Sequence, residues 1–193
     1  MNTQHAITTD VTYFLEPGPT NTDMTLNLSV KRANTLGIKT IIVASTRGRT
    51  GLRAAELCTG HNLIVVTHST GFTENNSQEL SGEDREKLLA AGATVLTCQH
   101  AFGGVGRAVR KKLGTYELEE LMAYTLRIFG QGTKVACEVA LMATDAGLAR
   151  TDEEVISIAG TDSGADTALV LQPANAQSLF DLRIKEIICK PRL

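Results

Sequence analysis

Three short apolar runs, Thr40-Ile41-Ile42-Val43-Ala44, Leu63-Ile64-Val65-Val66 and Thr94-Val95-Leu96-Thr97, alternate with stretches of helical periodicity. The first two contain no polar residue at every second position, so they read as strands buried on both faces. Strands that alternate with helices are joined by right-handed crossovers and pair in parallel. The fold class is therefore α/β with a mixed, mostly parallel sheet. With 193 residues, the chain is expected to form a single domain over 1–193 with a sizeable core.

The remaining elements follow from caps and breakers. Residues 1–11 are polar and read as a flexible N-terminus. Tyr13-Phe14-Leu15 is a short apolar patch stopped by Pro17-Gly18-Pro19. Asn21 and Thr22 can cap a helix over 22–35, with Leu26, Val30 and Ala33 on one face and Gly37 ending it. A second helix is expected over 51–57. Ser81 with Asp84 three residues on caps a third, running to Gly92. Residues 105–113 form a short basic helix, residues 117–129 an amphipathic one, and residues 133–148 a helix apolar nearly all round. Strands are expected over 155–159, 168–171 and 184–189. The joint 160–167 is too short for a parallel crossover, so the strands it links should be antiparallel.

Charge and composition narrow the partners. The formal net charge is −2, and the chain has five Phe, three Tyr and no Trp. Neither a basic field nor a stacking platform points to nucleic acid. There is no run of about 18 apolar residues, so no membrane span is expected. The first residues do not resemble a secretory signal. The four cysteines, Cys58, Cys98, Cys137 and Cys189, are widely spread. A cytoplasmic protein with reduced, mostly buried thiols is the expectation. The basic stretch 107–112 reads as a solvated helix face, with an interface as the alternative, and a homo-oligomer is left open.

The turn Ser45-Thr46-Arg47-Gly48-Arg49-Thr50-Gly51 carries the chemistry. It joins a buried strand to a helix, where the first amides lack intrahelical partners and the helix dipole favours an anion. Gly48 lets the backbone approach a ligand. Ser45, Thr46 and Thr50 add hydroxyls, and Arg47 and Arg49 add forked cationic donors suited to phosphate. The turn also lacks the Gly-Lys-Ser/Thr ending of a Walker A loop. Without a ligand it is an ordinary strand–helix loop with two solvated arginines.

Loops after parallel strands share one rim, so His68-Ser69-Thr70-Gly71-Phe72 and His100-Ala101-Phe102-Gly103-Gly104-Val105-Gly106 should lie beside this turn. The glycines of the second loop can admit a flat ligand or a phosphate. His68 and His100 each follow a strand and are candidate acid–base groups, or simply hydrogen-bonded loop histidines. Without a cysteine or carboxylate at ligand spacing they do not suggest a metal, and none is expected. Gly130-Gln131-Gly132 opens the apolar helix with two glycines, and Gln131 and Gly132 join the candidate ligand contacts. Glu138, one turn in, either pairs with Lys134 or makes a polar contact to a loop or ligand. Asp162 and Asp166 can bind hydroxyls or backbone amides.

Thr46 to Gly51, followed by Leu52-Arg53-Ala54-Ala55, resembles the phosphate loop of the pyruvate kinase C-terminal domain. More broadly, the chain resembles a family of stand-alone proteins with that domain's fold. The matching stretches include Phe14-Leu15-Glu16-Pro17-Gly18-Pro19, Val66-Thr67-His68, Phe129-Gly130-Gln131-Gly132, Ala143-Thr144-Asp145-Ala146-Gly147-Leu148 and Gly164-Ala165-Asp166-Thr167-Ala168-Leu169-Val170. The resemblance implies a three-layer α/β/α sandwich. It implies no pyruvate kinase activity, which belongs to a barrel domain of about 250 residues. It implies a bound flavin mononucleotide (FMN), with its phosphate on residues 45–51; a flavin ring needs an apolar slot, which Phe72 and Phe102 can supply. The kinase's later loop supplies basic groups to a second phosphate, whereas residues 160–167 hold Asp162 and Asp166 and no Arg or Lys. A monophosphate therefore fits better than a bisphosphate. The competing expectations are a regulatory module that senses a sugar phosphate or nucleotide without catalysis, and a hydrolase or transferase using His68 or His100. Whether the chain is an enzyme stays open.

Overall fold

The computed structural model describes residues 6–192. Of the segment expected to be flexible, residues 1–5 lie outside the described residues, while residues 6–11 are exposed and have no regular structure. Strand β1 (Thr12–Phe14) then leads through a 3-10 turn (Pro19–Asn21) into α1 (Thr22–Leu36) and β2 (Thr40–Ala44). Next come α2 (Arg49–Leu57), β3 (Asn62–Thr67), α3 (Gly82–Ala90) and β4 (Thr94–Thr97). Three helices follow, α4 (Val105–Leu113), α5 (Leu118–Arg127) and α6 (Gln131–Asp145). The chain ends with β5 (Val155–Ala159), β6 (Thr167–Gln172), a 3-10 segment (Ala176–Asp181) and β7 (Arg183–Pro191).

The strands form one seven-stranded sheet in the order β1-β7-β6-β5-β2-β3-β4. The β2/β3, β3/β4, β2/β5 and β1/β7 pairs are parallel; β5/β6 and β6/β7 are antiparallel. The short joint after Ala159 reverses the chain, as its length requires. The side-chain period of two divides β2 between two cores. Ile41 and Val43 pack with Val65 against Leu26 and Ala33 of α1, Ala54 of α2 and Leu88 of α3. Ile42 and Ile64 face the other way, onto Ala123 of α5 and Ala136, Ala140 and Leu141 of α6. The result is a three-layer α/β/α sandwich. Each fully buried Ile or Leu contributes roughly 1.5–3 kcal/mol.

Caps behave as their chemistry dictates. Ser81 Oγ accepts the Asp84 amide at 3.1 Å, and Gly37 ends α1 with φ +71°. Helix α6 starts two residues earlier than its apolar run, at Gln131, and twelve of its residues are buried. Cys58, Cys137 and Cys189 are buried, and all four thiols are free. Burial raises the Cys58 thiol to about 11 and Cys137 to about 12, which keeps both protonated. Among the described residues no helix is long and apolar enough to cross a membrane. The carboxyl ends of β2, β3, β4 and β5 lie on one rim, and β6 starts there.

Candidate functional site

On that rim, the Ser45 amide makes the last ladder-like bond of β2, to the Val66 carbonyl at 2.9 Å. The chain then turns through Gly48, at φ +91°, into α2. Ser45 Oγ accepts the Gly51 amide at 3.0 Å, and the Leu52 amide closes on the Gly48 carbonyl at 2.8 Å. The amides from Thr46 to Thr50 donate to no acceptor among the described residues. They lie at the positive end of the helix dipole. Arg49 makes no ion pair among the described residues, and Arg47 reaches only Glu79, at 4.0 Å, with its side chain 75% exposed.

Three residues of the turn have different tasks from those expected. A Cβ on Gly48 would lie 2.8 Å from Leu80 Cδ1 and 3.1 Å from Asp84 Cβ, so this glycine admits the start of α3 rather than a ligand. A Cβ on Gly51 would lie 2.8 Å from Val65 Cγ1, which makes it a helix–sheet packing glycine. The Ser45 hydroxyl is committed to the Gly51 amide. Arg47 and Arg49 are exposed, Thr46 is half-buried, and the Thr50 side chain is buried.

The expected neighbours are in place. Glu79 Oε2 lies 2.6 Å from His68 Nδ1, and His68 Nε2 lies 3.2 Å from Thr46 Oγ1. An ionised carboxylate only accepts, so Nδ1 carries the proton and Nε2 accepts the threonine hydroxyl. Burial holds the His68 imidazole below its ordinary range, against the opposing pull of Glu79. For Glu79 burial is the largest single influence and acts upward, but His68, Thr73 and Arg47 together outweigh it and the net shift is downward.

The His68 ring packs on Phe72 with centroids 4.0 Å apart, and Phe72 stacks on His100 at 4.9 Å. The Arg107 guanidinium sits 4.4 Å over the Phe72 ring. Beside this stack opens a cavity of about 230 Å³, lined chiefly by Phe72, His100, Gly103, Gly104, Arg107 and Lys111. Gly71 also lines it, while Thr70 is exposed at the loop tip and does not. Arg107 Nε is buried without a partner, and neither Arg107 nor Lys111 forms an ion pair among the described residues. The basic helix is thus not a plain solvated face: Arg107 turns onto Phe72, and Arg110 pairs with the buried Glu120 at 2.8 Å.

His100 Nε2 accepts the Ser69 amide at 3.4 Å, and its Nδ1 lies 3.8 Å from Glu138 Oε2. Glu138 is buried, pairs with Lys134 on the preceding turn of α6, and accepts the Phe102 amide at 3.0 Å. Burial acts upward on Glu138, but His100 and Lys134 together hold it well below the usual carboxylate range. Phe102 itself is a core residue, packed among α6 side chains, and does not line the cavity beside Phe72. Helix α6 packs against this loop to cover its apolar ring. Gln131 Oε1 accepts Arg127 Nε at 2.6 Å, and Gly132 is pressed against Thr167. Neither faces the cavity. Asp166 is fully buried and accepts the Gly18 amide at 3.0 Å, the Thr161 amide at 3.1 Å and the Thr167 hydroxyl at 2.8 Å. It serves structure, whereas Asp162 is exposed at φ +65°.

Glu79, Arg107 and Lys111 were not among the expected site residues. Glu79 lies in a polar loop without a motif. Arg107 sits three residues past Gly104, in the first turn of a helix that follows a strand, and that placement was its one legible signal.

The fold and this rim define a three-layer α/β domain with a polar, amide-lined turn after its second strand. The chain belongs to the pyruvate kinase alpha/beta domain family, whose model matches residues 23–171. Among solved structures it is similar to the crystal structure of Cryptosporidium parvum pyruvate kinase. That match has 14% identity and a TM-score of 0.38, and covers 75% of this chain and 21% of that one. The chain thus spans about a fifth of the length of that kinase.

Proposed function

We propose that this protein binds a small phosphorylated ligand with a flat aromatic body, FMN being the leading candidate. The observation that carries the proposal is the run of open amides from Thr46 to Thr50, flanked by Arg47 and Arg49. A phosphate monoester offers three oxygens to such a donor set, and charge-assisted hydrogen bonds are the strong kind. The ring would lie in the adjoining cavity, against Phe72 and the backbone of Gly103 and Gly104, with the Arg107 guanidinium at its edge. Phe72 and His100 replace the slot expected between Phe72 and Phe102, because Phe102 does not line this cavity.

Quenching of flavin fluorescence tests this directly. The wild-type protein should bind FMN more tightly than riboflavin, which lacks the phosphate, by about tenfold or more. An Arg47→Ala/Arg49→Ala variant should lose that preference and keep its fold. Equal affinity for both flavins would remove the phosphate from residues 46–50. A thermal-shift series with sugar phosphates and nucleotides, read against FMN, separates a flavin protein from a metabolite-sensing module.

A further inference from the structure

We propose that Glu79, His68 and Thr46 form a hydroxyl-activating relay that moves a phosphoryl group from a bound phosphomonoester to Thr46 and then to water. The inference rests on the phosphate-binding reading of residues 46–50 and adds a reaction to it. Its basis is an unbroken line of hydrogen bonds: carboxylate to Nδ1 at 2.6 Å, Nε2 to hydroxyl at 3.2 Å. The residues come from two loops: Thr46 from the one after β2, and His68 and Glu79 from the two ends of the one that joins β3 to α3. A histidine held by a carboxylate, with its free nitrogen on a hydroxyl, is the general arrangement for activating an alcohol nucleophile. The neutral ring expected for a half-buried histidine keeps the accepting nitrogen available.

The surroundings select phosphoryl over acyl transfer. A carbonyl oxygen is satisfied by about two amide donors. The turn offers the amides from Thr46 to Thr50 and two guanidinium groups, a set that matches the three non-bridging oxygens of a phosphoryl group. Thr46 is itself the first residue of that set, so its hydroxyl stands beside the group the amides would hold.

The steps balance without an outside oxidant or reductant. Thr46 Oγ1 attacks phosphorus as its proton passes to His68 Nε2, and the bond from phosphorus to the ester oxygen breaks. The resulting imidazolium is stabilised by Glu79. Water then attacks the phosphothreonine from the vacated side and loses a proton to solvent. The bond to Thr46 breaks, and His68 returns its proton to Thr46 Oγ1. In-line displacement places the leaving oxygen opposite Thr46, away from His68. No acid is assigned on that side, so the substrates are monoesters of acidic alcohols, or acyl phosphates, whose leaving groups depart as anions. A flavin phosphate, with an alkyl leaving oxygen, would bind without being cleaved and would compete.

The test uses the full chain with p-nitrophenyl phosphate as probe and FMN as competitor. Expected are release of p-nitrophenolate, competitive inhibition by FMN, and a phosphoryl adduct on the Thr46 peptide after acid quenching, read by mass spectrometry. Thr46→Val and His68→Gln should lower turnover about 100-fold or more, while Thr46→Ser retains it. Glu79 is a positioning residue. Glu79→Gln should lower kcat and move the acidic limb of the pH profile downward, because the carboxylate raises the His68 pKa; a merely structural role would leave that limb in place. Circular dichroism of each variant separates loss of chemistry from loss of fold. If FMN binding saturates but no aryl phosphate is cleaved, the relay proposal is overturned and the binding reading stands. Undiminished turnover in Thr46→Val, or cleavage of p-nitrophenyl acetate in place of the phosphate, also overturns it. If neither binding nor cleavage occurs, both proposals fail.

Discussion

A Cβ built on Gly132 would stand 2.1 Å from Thr167 Oγ1 and 2.5 Å from Thr167 Cβ. Thr167 is fully buried at the start of β6, so the strand itself would have to give way. Gly132→Ala should therefore cost about 1–3 kcal/mol in urea unfolding with no specific effect on ligand affinity. On Gly103 the nearest atom to an added Cβ is Arg107 Nη2 at 3.2 Å, the far end of a flexible side chain. Gly103→Ala should change stability by no more than about 0.5 kcal/mol, yet weaken FMN binding several-fold by shifting the guanidinium and narrowing the cavity. Equal destabilisation by the two changes would refute the distinction. In the sequence these glycines look alike: both stand near helix starts and both read as candidate ligand contacts. What separates them is a neighbour from elsewhere in the chain, and local pattern carries no information about it. The same holds for Gly48, read as a ligand contact but facing Leu80 and Asp84.

At the scale of elements, α6 shows how burial changes the meaning of a pair. On an exposed helix, Lys134 followed by Glu138 is the less favourable order and contributes little. Here both side chains are buried, and Glu138 also accepts the Phe102 amide. Removing one partner leaves the other charge uncompensated, so Glu138→Leu should destabilise the fold by about 3–5 kcal/mol. The pH dependence follows from the same carboxyl. Its folded-state pKa is depressed, so its contribution is fully present above the unfolded value of about 4.3 and is lost as pH falls through the folded value. Thermal melts of the wild type should fall steeply as pH drops below about 4, and Glu138→Gln should flatten that fall. An unchanged slope would mean that other carboxylates govern acid unfolding. Helix positions, caps and strand runs were legible because each is written in local spacing. A polar contact from Glu138 to a loop was legible as one of two readings, and the structure makes both; that the contact is the Phe102 amide in the loop after β4 was not, since the tertiary fold supplies that partner.

For the whole molecule, the antiparallel reversal at β6 was legible from a joint too short to cross over, but β1 was not. Three residues without alternation carry no strand signal, and their partner lies at the other end of the chain: Thr12, Tyr13 and Phe14 pair with Cys189, Lys190 and Pro191. Asp166 secures this edge. Its carboxylate holds the Gly18 amide just beyond β1 and the Thr161 amide in the rim loop, and Gly164 packs on Pro19. Asp166→Ala would leave the buried Gly18 amide and the part-buried Thr161 amide unpaired, at a cost of about 2–4 kcal/mol. The loss should be regional, because the bonds between β2 and β3 do not pass through this carboxylate. Hydrogen exchange in Asp166→Ala should therefore speed up first at the amides of 12–18 and 160–166, while Ile42, Val43 and Val65 keep near-global protection. If all these amides accelerated equally, the aspartate would be holding the entire sheet rather than its edge. The aryl-phosphate rim sits between these regions, with Thr46 and His68 on the β2–β3 side. Its chemistry should survive the edge variant at temperatures where the centre stays folded.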